Sequence, residues 1–157
     1  MNILVIEDSR FLRALIVKTL TRAGHALSAV ADGAQGVLMA RASRPSLILL
    51  DMILPGLDGT SVLKQLKQDP STAQIPVIVV TTLSQANAGK LKKAGAAAYI
   101  EKALFRLDES AEALIPVVED TIGARSRNSV RSEERHSETV ASLETEDPEP
   151  PSNETLP

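Results

Sequence analysis

Residues 48–59 read ILLDMILPGLDG. Three aliphatic residues run straight into Asp51, and a second apolar stretch and a Pro-Gly turn follow. A short run that is apolar at every position fits a strand buried on both faces better than an alternating surface strand. The acid at its end is either a solvent-facing terminus or a carboxylate that the strand exists to hold. The rest of the chain decides between these two readings.

Outward from Asp51 the same grammar repeats. Residues 3–7 (ILVIE), 47–51 (LILLD) and 77–81 (VIVVT) read as strongly apolar strands, and 26–31 (ALSAVA) and 97–101 (AAYIE) as weaker ones. Between them lie amphipathic stretches. Phe11, Leu12, Leu15, Ile16 and Leu20 recur at helical spacing, with Ser9 as N-cap and Gly24 as stop. Ala34 to Ala42 form a second helix, closed by Arg44-Pro45. Gly59 to Lys67 form a third, ended near Asp69-Pro70, and Gln85 to Ala94 a polar fourth before Gly95. A last helix is expected over 108–122, kinked or started late by Pro116. Strict alternation predicts an α/β domain with a doubly wound parallel sheet and right-handed crossovers. Ligand sites in such sheets lie beyond the C-terminal strand ends, where the strand order reverses.

Composition narrows the function. The chain has 157 residues, 43% of them hydrophobic, enough for one core plus an appendage. Phe11, Tyr99 and Phe105 are its only aromatics, so the core is aliphatic and stacking on nucleobases or flavin is poorly supported. A net charge of −3 gives no basic footprint for nucleic acid. The lack of cysteine excludes disulfides, zinc-thiolate sites and a thiol nucleophile. No apolar run is long enough to span a bilayer, and the acidic start MNILVIEDSR does not resemble a signal peptide, so a cytoplasmic location is expected. Residues 1–123 are expected to form the domain. Residues 124–157, rich in Ser, Glu and Pro, are expected to be a disordered acidic tail with at most a transient helix over 129–144, and no DNA-binding domain.

The strand ends carry the chemistry. The first ends in Glu7-Asp8, the third in Asp51, the fourth in Thr81-Thr82, and the fifth runs into Lys102. One edge of the sheet therefore gathers three carboxylates, a hydroxyl and a lysine. Carboxylates so placed repel and raise one another's pKa, which a divalent cation relieves. An all-oxygen set of carboxylates, a carbonyl and waters suits Mg2+. Lysine and threonine supply a point charge and a hydroxyl donor for a phosphoryl oxygen arriving between them.

This constellation resembles the receiver domain of two-component response regulators, of the stand-alone chemotaxis-regulator type. The resemblance rests on Glu7-Asp8, LILLDMILPGLDG around Asp51, VIVVTT with Thr81 and GAAAYIEK ending in Lys102, in register across roughly residues 2–122. It implies a flavodoxin-like (βα)5 fold with strand order 2-1-3-4-5. It implies that Asp51 accepts a phosphoryl group from a sensor histidine kinase or phosphotransfer protein. Mg2+ would be held by Glu7, Asp8, Asp51 and the backbone carbonyl of Ile53. Thr81 would take a phosphoryl oxygen and Lys102 would pair with Asp51. Thr81 and Tyr99 would form the switch that remodels the face of helix four, strand five and helix five toward a downstream protein effector. Such a protein is a phosphoacceptor that assists its own phosphorylation and dephosphorylation, not a dedicated enzyme.

Some positions depart from the family's commonest pattern. Glu7 stands for Asp, Thr82 for a small residue and Ala103 for proline. Thr82 bears on the turnover rate and Ala103 on the path into helix five. Ile53 and Leu83 occupy positions that tune phosphoryl lifetime. The other classes weighed are a receiver-fold binding or scaffold module independent of phosphorylation, a flavin carrier and an aspartate-dependent phosphatase. A flavin carrier needs a phosphate-cradling loop, yet residues 7–13 (EDSRFLR) lack glycine. The phosphatase needs an Asp-x-Asp pair, and here the acids are adjacent. His25 and His136 read as solvated, Lys90, Lys92 and Lys93 as a solvated helix face, and Met39 and Met52 as packing residues.

Overall fold

The structure, a computed structural model, describes residues 1–82, 88–105, 111–124, 126 and 127. The chain divides into two units, Met1–Ile122 and Gly123–Pro157. In the first unit, β1 (Asn2–Ile6), β2 (Ala26–Val30), β3 (Leu47–Asp51), β4 (Val77–Thr81) and β5 (Ala98–Glu101) alternate with α1 (Arg10–Arg22), α2 (Gly33–Ser43), α3 (Gly59–Gln68) and α4 (Ala88–Lys93). Residues 114–122 are helical (α5). The strands form one parallel sheet in the order β2-β1-β3-β4-β5.

Alternation within each strand sends side chains to opposite faces. Leu4, Ile6, Ile48, Leu50, Val77 and Val79 pack with Val37 and Ala40 of α2, Val62, Leu63 and Leu66 of α3 and Leu91 of α4. Ile3, Val5, Leu47, Leu49, Ile78 and Val80 pack with Ile16 and Leu20 of α1 and Leu114 and Val118 of α5. Every residue of β3 and β4 is buried, whereas the edge strands β2 and β5 are partly open. The continuous aliphatic runs and the weaker ones thus mark central and edge strands.

The helix ends follow local chemistry. Ser9, Asp32 and Asp58 cap α1, α2 and α3 by accepting from the backbone N–H three residues on. Gly24, at φ 89°, ends α1 in the left-handed region that glycine adopts without strain. Arg44 takes the same region at φ 44° before Pro45, which bars the preceding residue from continuing the helix. Pro116 is the third residue of α5, in its first turn, so its missing N–H leaves no helical bond unmade. The late start was the correct alternative.

Three expectations are adjusted. Phe11 is 59% exposed, whereas Leu12 beside it packs on the core with Ile16 and Leu20. His25 is half-buried, not solvated, and its Nδ1 is shielded with no hydrogen-bond partner. It precedes β2 at the N-terminal end of the sheet, away from the convergent strand ends. Residues 124, 126 and 127 are helical, although disorder was expected from 124 onward; helix ends overrun the loss of apolar periodicity by a residue or more. The remaining tail residues, Leu83, 85–87 of the fourth helix and 108–110 of the last lie outside the described residues. Lys90, Lys92 and Lys93 are exposed, and Met39 and Met52 pack in the core as expected.

Candidate functional site

Strand register assembles the site. Ile6 pairs with Leu50, Asp51 with Val80 and Thr81 with Glu101, so the next residues on each strand end side by side. The order reverses at β1, which continues to β2 on one side and β3 on the other. Glu7 and Asp8 follow β1 and Asp51 ends β3, so the three carboxylates flank that crevice. Ligand oxygens of Glu7, Asp8 and Asp51 all lie within 4.8 Å of one another.

Lys102 reaches them from a 3-10 turn over Lys102–Leu104 that directly follows β5. Ala103 sits inside that turn. The ammonium stands 2.7 Å from Asp51 Oδ2, 3.0 Å from Glu7 Oε2 and 3.3 Å from Glu7 Oε1. Glu7 and Asp51 are only 1% and 2% exposed. The Ile53 N–H donates to Asp51 Oδ1 at 3.1 Å, and the Ser9 N–H to Glu7 Oε1 at 3.1 Å. Asp51 is thus fixed at both oxygens, one by an ammonium and one by the loop it opens. Gly59 keeps that loop close: a Cβ there would collide with the backbone of Asp51 and Met52. Thr81 is buried at the end of β4 and Thr82 exposed beside it, while Ile53 is 60% exposed at the rim. Tyr99 is half-buried, packed on the face that carries α2, α3 and α4.

Electrostatics are strained. Burial, and then the charge of Asp51, raise the Glu7 carboxyl above 4.5, although Lys102 and the Ser9 N–H pull it down. Burial opposes the charge on Lys102, but its bonds to Asp51 and Glu7 outweigh this and raise its pKa above 10.5. A carboxyl raised by the fold contributes fully to stability below its unfolded value and loses that contribution as pH rises through its folded value. Hence Glu7→Gln, measured without metal, should raise the melting midpoint at pH 7. The gain should vanish as pH falls below the unfolded value of 4.5. Equal midpoints at both pH values would mean that the buried charge carries no strain.

The donor set fits a hard divalent cation. It is all oxygen, and the one ammonium among its three acids pairs with only two of them, Glu7 and Asp51. Glu7 Oε2 is shielded with no aligned hydrogen-bond donor, while Asp8 is exposed beside it. Two contacts were not foreseen from sequence. Lys102 pairs with Glu7 as well as Asp51, a reach that the longer Glu side chain permits. Arg13 turns back from α1 to bond the carbonyls of Glu7 and Asp8. Its position on a helix face offered no signal that it bends toward the acids.

Comparison with known proteins gives a consistent result. The family model for the response regulator receiver domain matches residues 3–114. Protein PilH of Pseudomonas aeruginosa is 36% identical over 103 residues, 64% of this chain and 84% of that protein. The transcriptional regulatory protein AfsQ1 of Streptomyces coelicolor is 39% identical over 80 residues, 51% of this chain but 34% of that protein. Among solved structures, the receiver domain of the sensor histidine kinase PA1611 from Pseudomonas aeruginosa PAO1 superposes with a TM-score of 0.66 at 31% identity. It covers 78% of this chain and 97% of that one, and it carries a magnesium ion coordinated in its active site cleft.

Proposed function

The chain belongs to the response regulator receiver domain family, and from that premise we propose that it accepts a phosphoryl group on Asp51 with the help of Mg2+. The observation that carries this reading is the juncture at the β1–β3 crevice: Asp51 held at both oxygens within 4.8 Å of two further carboxylates and 2.7 Å from Lys102. The donor is a phosphohistidine on a sensor histidine kinase or phosphotransfer protein. The P–N bond breaks as a P–O bond forms to an Asp51 oxygen, and the imidazole leaves, taking a proton from solvent. Positioning and charge neutralisation do most of the work in such a transfer.

Glu7, Asp8, Asp51 and the Ile53 carbonyl would hold Mg2+, which supplies positive charge to the transferring oxygens. Lys102 exchanges Asp51 for the phosphoryl group, and Thr81 donates its hydroxyl to a phosphoryl oxygen. In this reading Tyr99 then moves inward, and the face of α4, β5 and α5 changes shape for a downstream protein effector. Water ends the signal by hydrolysing the acyl phosphate, so the chain is a phosphoacceptor rather than a dedicated enzyme. Residues 1–123 act as the receiver domain and 124–157 as its acidic appendage. No helix among the described residues is long and apolar enough to cross a membrane. A kinase donor places the protein's action in the cytoplasm.

Incubation with acetyl phosphate tests the reading without the kinase. Intact mass should rise by one phosphoryl group per chain with Mg2+ and stay unchanged when the metal is chelated. A folded, Mg2+-binding protein that gains nothing from acetyl phosphate or from a phosphohistidine donor would instead be a phosphorylation-independent binding module.

A further inference from the structure

Glu7 and Asp8 differ in how they are held. The Glu7 carboxylate is fixed by Lys102 and by the Ser9 N–H. The Asp8 side chain is exposed and has no partner among the described residues, so its direction is set by its own backbone. One side chain bonds the carbonyls on both sides of that residue. Arg13 lies in the first turn of α1, half-buried, and its Nη1 donates to the Glu7 carbonyl at 2.8 Å and to the Asp8 carbonyl at 3.1 Å. A single nitrogen bridges two successive peptides. The same turn is closed from the other side, where the Ser9 hydroxyl accepts from Leu12 N–H and the Arg13 N–H donates to the Ser9 carbonyl. The acidic pair and the first turn of α1 therefore form one hydrogen-bonded unit.

We propose that Arg13 is a positioning residue for the divalent-cation site, fixing the peptides from which the Glu7 and Asp8 carboxylates project. This rests on the cation reading given above. Groups that orient metal ligands without touching the metal are commonly worth about 10–100-fold in affinity. A merely structural clamp would act differently: losing it would lower unfolding stability and leave cation affinity unchanged in the folded protein.

Calorimetric titration of MgCl2 into the full chain separates the two. Arg13→Met keeps the aliphatic stem and removes the donors, and it should weaken Mg2+ binding about tenfold with the circular dichroism spectrum unchanged. Arg13→Lys should recover most of the loss, because one nitrogen makes both bonds. In metal-free protein, the amide resonances of Asp8 and Ser9 should move in Arg13→Met and return toward their original positions in Arg13→Lys, with Leu49 and Val79 as unmoved references. An affinity for Arg13→Met within about twofold of the unsubstituted chain would overturn this inference alone, and so would an Arg13→Lys variant as weak as Arg13→Met. Failure of the unsubstituted chain to bind Mg2+ would overturn both the inference and the cation reading.

Discussion

Asp51→Asn should abolish phosphoryl incorporation, from one group per chain to none. The substitution is nearly isosteric, and the amide oxygen can still accept from the Ile53 N–H that now holds Oδ1. The strand end, its loop and α3 therefore stay in place, while the nucleophile and its ion pair with Lys102 are lost. No neighbour substitutes for it. Glu7 is engaged by both Lys102 and the Ser9 N–H, and Asp8 makes no described bond to Lys102, so neither carboxylate is held as Asp51 is. Mg2+ affinity falls too, since one of three anionic ligands becomes neutral. Intact-mass measurement on both proteins, with acetyl phosphate and Mg2+, checks this. A gain of equal size in the variant would mean that the acceptor is a different residue.

The central strands and the acids at their ends were legible because burial leaves a one-dimensional trace. β3 and β4 begin and end where the aliphatic runs do, and Asp51 and Thr81 fall at strand termini as expected. The edge strand β5 was legible to within a residue, since a strand open on one side needs fewer apolar residues. Phe11 was misread because helical spacing does not fix where the edge of the covered stripe falls: Leu12 beside it packs on the core, and Phe11 stays exposed. His25 was misread as solvated because shielding of a ring nitrogen depends on packing around a turn, which a lone histidine does not announce. Register, and with it the approach of Lys102 to both Glu7 and Asp51, is a tertiary quantity. Sequence placed the three residues on one edge. It could not give the second ion pair, because that depends on side-chain reach across the crevice.

That second ion pair makes Lys102 the residue whose loss should most disturb the metal-free fold. Lys102→Met preserves the length of the stem and deletes the ammonium, leaving two carboxylates in the interior that have lost their shared cation. Breaking a buried pair from one side costs about 3–5 kcal/mol. The low end, about 3 kcal/mol, is expected here, because uptake of a proton by Glu7, already raised by burial, relieves part of the strain. The pH dependence identifies the cause. The raised pKa of Lys102 means that its contribution is complete below the unfolded value of 10.5 and is lost as pH rises through the folded value. At the acid end the raised Glu7 carboxyl takes up its proton and no longer needs the cation. The stability gap between the two proteins should therefore be widest near neutrality and close in both directions. Mg2+ should narrow it at pH 7, by binding the same oxygens. Urea unfolding across the pH range, with and without Mg2+, reads all three effects. A gap that stays constant from acid to alkaline pH would mean that Lys102 stabilises the fold through the packing of its stem, and that the buried carboxylates are hydrated well enough to stand alone.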